Sequence, residues 1–212
     1  MEKRKLNHYD VFEVIDTFDI EKNRHCVILN DWVNASLELN QMELSIIEQA
    51  REQIESKWDE WNEEELKMNF ISIILFVAQV NENRLINTFY ERKFVGEVND
   101  ITISVVIDCM LASPTNSGLP KSPYFFMQEF KRSLGDSHDP EGQMLAAMIL
   151  AQNKNADDKP LFGCWIQGKN WNFTVLNQKE YCVSRQFDST QKHDLLQIVY
   201  TLRKLKELIL NR

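Results

Sequence analysis

Residues 101–132 read ITISVVIDCMLASPTNSGLPKSPYFFMQEFKR, and this stretch decides the fold. Ile101, Ile103, Val105 and Ile107 recur with the period of two that marks a β-strand face. Thr102, Ser104, Val106 and Asp108 take the other face, with Asp108 near the strand end. Ser113 to Ser122 carries two prolines and a glycine, so it reads as a loop. Tyr124 to Lys131 is a second strand. Phe125, Met127, Glu129 and Lys131 share one of its faces, and Phe130 points to the other. Directly opposed residues on neighbouring strands lie ~5 Å apart. If the two strands are neighbours, Asp108 therefore faces Glu129 and Lys131.

Working outward, Leu85 to Val98 is strand-like, and Gly96 and Asn99-Asp100 read as turn residues of a hairpin into the Ile101 strand. Upstream, Asn40 to Trp58 shows helical spacing, with Ile47, Ala50, Ile54 and Trp58 on one stripe. A second helix begins near Asn62, with Glu65 three residues on as in a capping box. It runs to about Val80 through a nearly all-apolar, buried segment. Residues 1–38 read as a small, mostly helical lead-in, and residues 39–212 as the main domain.

Downstream, Gly135 to His138 turns the chain. Asp139-Pro140 opens a helix with Asp as N-cap and Pro at its first position. Its run Met144 to Ala151 is apolar almost all round and belongs in a core. Leu161 to Phe187 reads as two or three antiparallel strands. A last helix, Thr190 to Leu210, has a stripe of Leu195, Val199, Leu202, Leu205 and Ile209, and its Lys/Arg set reads as a solvated face. The fold class is α/β: a mixed central sheet with helices on both sides in three layers, plus the mostly helical N-terminal extension.

At 43% hydrophobic the 212-residue chain has enough apolar surface for one sizeable core. Its net charge of −8 argues against a protein that coats nucleic acid non-specifically, but not against carboxylates that hold a metal. The four cysteines, Cys26, Cys109, Cys164 and Cys182, form no CxxC pair, which argues against a zinc ribbon. The start lacks an apolar signal core, and Ile71 to Val80 is too short to span a bilayer. A cytoplasmic protein without membrane attachment is expected.

The chemistry-bearing constellation is Asp108, Glu129 and Lys131. Two carboxylates on one face make a hard-oxygen site suited to Mg²⁺ or Mn²⁺, with an ammonium beside it to act on a phosphate. This order of helices, hairpin ending in Asp, E-x-K strand and apolar helix resembles the PD-(D/E)xK restriction-endonuclease-like nuclease superfamily. The segments GEVNDITISVVIDCML and FFMQEFK are similar to the nuclease domain at the start of type I restriction motor subunits. Ile107 stands where the motif's Pro would be.

The resemblance implies that residues 39–212 form a nuclease-like domain. Asp108 and Glu129 would bind Mg²⁺ or Mn²⁺, and Lys131 would assist catalysis. Gln143 matches a Gln that some branches place on the next helix, although Ala147 stands where those branches carry Tyr. Glu64 or Glu65 would complete the site from the first helix. It implies a metal-dependent nuclease whose partner is nucleic acid, with DNA favoured and RNA left open, and a homodimer would suit double-strand cutting. The alternative is a catalytically inactive nuclease fold that binds nucleic acid or a protein. Blander readings stand beside these: Asp108 as a strand-end cap, Glu129 with Lys131 as a surface ion pair, Glu65 as a helix-start residue. His8, His25, His138 and His193 have no partner spacing.

Overall fold

A computed structural model describes residues 4–5, 9–24, 26–132 and 139–212. The elements run β1 (Arg4–Lys5), α1 (Val11–Phe18), β2 (Glu21–Asn23), α2 (Val27–Val33), α3 (Gln41–Lys57) and α4 (Glu63–Leu66). A π turn (Lys67–Ile71) then leads into α5 (Ser72–Ala78). They continue with β3 (Asn87–Val98), β4 (Ile101–Pro114), β5 (Pro120–Lys131), α6 (Pro140–Asn155), β6 (Leu161–Gln167), β7 (Asn170–Asn177), β8 (Glu180–Val183), β9 (Phe187–Asp188) and α7 (Lys192–Leu210). The turn at Gly135 to His138, like His8 and His25, lies outside the described residues.

Among the described residues the strands form one mixed sheet in the order β1-β4-β5-β6-β7-β8-β2, with β3 also on β4 and β9 on β7. β3, β4 and β5 run antiparallel to their neighbours in turn. β6 then lies parallel to β5, and α6 supplies the crossover that a parallel pair requires. One face of the sheet is covered by α2, α3, the α4–α5 rod and α7. The other is covered by α1 and α6. The architecture is thus α/β with helices on both faces of a mixed sheet, as the sequence implies.

Local chemistry fixes the element starts. Asn40 and Glu43 form a reciprocal capping box, as do Asn62 and Glu65, each satisfying two otherwise orphaned N–H groups. Asp139 caps α6, accepting from the Glu141 N–H, and its second oxygen accepts from the Val11 N–H at 2.7 Å. Asn99 and Asp100 have φ of 51° and 64°, the left-handed pair that a two-residue hairpin needs. Gly96, by contrast, is no turn residue. It lies inside β3, and a Cβ there would come 2.6 Å from Leu150 Cδ1, so its missing side chain admits α6 against the hairpin.

Several expectations need correction. The residue 113–122 segment is the end of a long hairpin: β4 runs to Pro114, β5 starts at Pro120, and the two prolines form the terminal rung. At that end their missing N–H groups cost the ladder little. A register shift between Leu111 and Ala112 puts Phe125 with Phe126 on the α4–α5 side, while Met127 faces α6. The first 38 residues are helical in α1 and α2 but also join the sheet. β1 lies parallel to β4 and β2 parallel to β8. In α7, Arg203 is not solvated. It donates to Glu43 and to the Val77 carbonyl, both at 2.6 Å, tying α7 to α3 and α5. Among the described residues no helix is long and apolar enough to cross a membrane.

Candidate active site

β4 and β5 pair from Pro114↔Pro120 only as far as Cys109↔Gln128. Beyond that rung Glu129, Phe130 and Lys131 keep only the pairing with β6 that began at Phe126. The strands part at Asp108, whose Oδ2 accepts from the Phe130 N–H at 2.7 Å. A side chain thus takes the place of the next ladder bond. Asp108 is therefore not near a strand end, since β4 continues six residues further to Pro114. It stands at a fork within the sheet.

The neighbouring rung is irregular on both strands. Tyr90 pairs with Cys109 and Arg92 with Ile107, leaving Glu91 opposite Asp108. Glu91 adopts φ 51°, a left-handed conformation that a non-glycine side chain seldom takes. Side-chain alternation changes phase across that rung. Ile103, Val105 and Ile107 face α6, and so do Met110 and Ala112, while Cys109 and Leu111 face the other layer.

Asp108, Glu129 and Lys131 come together at this fork. Glu129 is only 1% exposed, and its carboxyl lies near enough to Asp108 to feel that residue's charge. Burial first, then the charge of Asp108, pushes Glu129 well above the usual carboxylate range, while Lys131 pulls against both. Burial likewise raises Asp108, opposed by the Phe130 N–H and the Lys131 charge. One oxygen of Glu129, Oε1, is buried without a hydrogen-bond partner. The Lys131 side chain is 11% exposed, and its Nζ lies 3.6 Å from Glu63 Oε2. That burial removes the reading of Glu129 and Lys131 as an ordinary surface pair.

The first-helix acids divide differently from expectation. Glu65 uses its carboxylate on the Asn62 N–H at 2.9 Å, so it serves the helix start. Glu64 sits 3.1 Å from Lys67 Nζ. Glu63, which the sequence reading passed over, is the acid that reaches Lys131. The signal was present in the Glu63-Glu64-Glu65 run, but helix phase alone could not choose among three neighbours. Gln143 stands in the first turn of α6, on the sheet side shared with Met127, and its Oε1 is also buried without a partner.

Among the described residues no three His, Cys, Asp or Glu side chains converge on one point. Asp108 and Glu129 are the two carboxylates at the fork that could hold an ion. That set fits Mg²⁺ or Mn²⁺, which take one or two carboxylates with water and phosphate oxygens completing the shell. The orphaned Glu129 Oε1 is the acceptor such an ion would satisfy. No protein-family model matches this chain, and no curated protein matches its sequence.

Proposed function

We propose that this protein is a metal-dependent nuclease that hydrolyses phosphodiester bonds in nucleic acid, with DNA as the favoured substrate. The observation that carries the reading is the buried Asp108–Glu129 pair with Lys131 beside it, at the point where β4 and β5 part. Two like charges held together away from water are costly unless something compensates them. A proton held on Glu129 compensates them in the free protein, and a divalent cation would take that proton's place. The succession of helix rod, antiparallel β3-β4-β5, crossover α6 and parallel β6 also supports the restriction-endonuclease-like reading of the sequence.

When bound, such an ion supplies Lewis acidity toward a phosphodiester and its attacking water. The protein's own groups do the rest. The Phe130 N–H fixes the orientation of Asp108, so that carboxylate needs no rearrangement to receive a cation. Burial keeps competing water away from Glu129 and strengthens every charge interaction nearby. Lys131 places an ammonium where negative charge grows on phosphate oxygens as the bond breaks. Glu63, 3.6 Å from that ammonium, draws it toward the helix rod.

Supercoiled plasmid and labelled oligonucleotides incubated with Mg²⁺ or Mn²⁺ test the proposal against Asp108→Ala and Lys131→Ala. Cleavage by the wild type that both substitutions abolish is the expected result. Equal cleavage by all three proteins, or none by the wild type on any substrate, overturns it.

A further inference from the structure

Among the described residues the buried charged side chains are Lys67, Asp108 and Glu129. Two of them form the carboxylate pair. The third belongs to the same neighbourhood: Lys67 Nζ lies 2.5 Å from Oε1 of Glu91, the residue opposite Asp108 on the irregular rung. A buried ammonium is costly and needs a reason to be there.

The backbone is unusual at both ends of this contact. Lys67 opens the π turn, a one-residue widening of a helix that recurs at functional sites. Glu91 is held in the left-handed region, a conformation that is costly and persists where surroundings enforce it. A plain tether between the helix rod and β3 would need neither feature. The stem of Lys67 is buried, yet its partners face solvent, Glu64 being 69% and Glu91 55% exposed. The ammonium is thus held by two largely exposed carboxylates that an incoming anion can displace.

We propose that Lys67 is a second phosphate-binding ammonium of this site, released from Glu91 and Glu64 to grip a phosphate flanking the one that is cut. This rests on the nuclease reading and names its substrate class: a polynucleotide strand, rather than a lone phosphodiester. The site holds Glu63, Glu64, Glu91, Asp108 and Glu129 against Lys67 and Lys131. An anionic strand entering among so many carboxylates needs both ammonium groups as well as the metal charge.

The test compares two substrates with Mn²⁺: a single-stranded oligonucleotide and bis(p-nitrophenyl) phosphate, which has one phosphate only. Lys67→Met should lower kcat/KM on the oligonucleotide about tenfold or more and leave the small diester unchanged. In a Lys131→Met background that does not cut, it should also reduce the salt dependence of oligonucleotide binding by about 0.7 in log–log slope. Glu91→Gln, which removes the competing carboxylate, should strengthen oligonucleotide binding. An equal loss on both substrates, or no loss on either, overturns the role of Lys67. If Lys67→Met does not fold, Glu91→Gln decides, and unchanged oligonucleotide binding by that variant overturns it. A wild type that cuts neither substrate overturns the nuclease reading first, and this one with it.

Discussion

Glu129→Gln should make this protein more stable and unable to hold metal. In the native state burial and the neighbouring Asp108 charge raise the Glu129 carboxyl, and burial raises Asp108. The folded chain therefore keeps protons that the unfolded chain has released. Where the native state binds more protons, stability falls as pH rises. The pair's contribution to wild-type stability should be greatest at or below the ordinary carboxylate range, and should be lost as pH climbs through the raised folded values. An amide at position 129 carries no charge and can donate to the Asp108 carboxylate. A hydrogen bond to a charged group contributes about 1.5–3 kcal/mol. At about 2–4 °C per kcal/mol for a chain of this size, Tm should rise by about 3–12 °C relative to a wild type that has lost the Glu129 proton, a difference sought at pH 8. At pH 4 the wild-type Glu129 is itself protonated and can donate, so the gain should shrink toward zero. Mn²⁺ at a hundred times its Kd should add about 2.7 kcal/mol to the wild type and nothing to the variant. Melting curves at both pH values, with and without Mn²⁺, are the assay. A variant that melts below the wild type by the same margin at pH 4 and pH 8 refutes the reasoning, because Glu129 would then be an ordinary packed side chain.

Lys131→Met should reduce kcat by about 10²–10⁴ while Mn²⁺ binding, read by calorimetry, is kept or tightened, since a cation beside the carboxylates is gone. Glu65→Ala should cost about 0.3–1.5 kcal/mol of stability through the lost capping box, with Mn²⁺ affinity unchanged; a fall in that affinity would return Glu65 to the site. Gly142→Ala should destabilise by at least about 3 kcal/mol, measured by chemical denaturation. Its Cβ would fall 1.9 Å from the Tyr9 carbonyl oxygen and 2.7 Å from the Val11 nitrogen, and backbone atoms cannot swing aside.

Much of this was legible in the sequence because it rests on local chemistry. Asn40, Asn62 and Asp139 announce helix starts through side chains that satisfy nearby N–H groups. Asn99-Asp100 announces a hairpin through its tolerance of positive φ. The spacing of Glu129 and Lys131 places them on one strand face. What was not legible depends on partners distant in sequence. β1 and β2 are two and three residues long, too short to show any period, and they exist only because β4 and β8 offer edges. The Phe125 bulge and the phase change at Asp108 follow from how β5 leaves β4, which no alternation within one strand reports. Glu63 and Lys67 owe their places to the π turn, which shifts helix phase just where a 3.6-residue count would be applied.

The clasp between the N-terminal segment and the rest of the sheet bears on the timing of folding. Tyr9 bonds Ser104 across 95 residues, Val11 bonds Asp139 across 128, and Asn23 meets Glu180 across 157. During synthesis, where domains generally fold from the N-terminal end, this segment emerges long before β8, its partner at Glu180, has been made. Such distant pairings carry a high loop-closure cost and slow the final step. A nascent chain stalled before β8 should therefore hold the fork strands β3 to β5 in place while its opening residues remain open to protease.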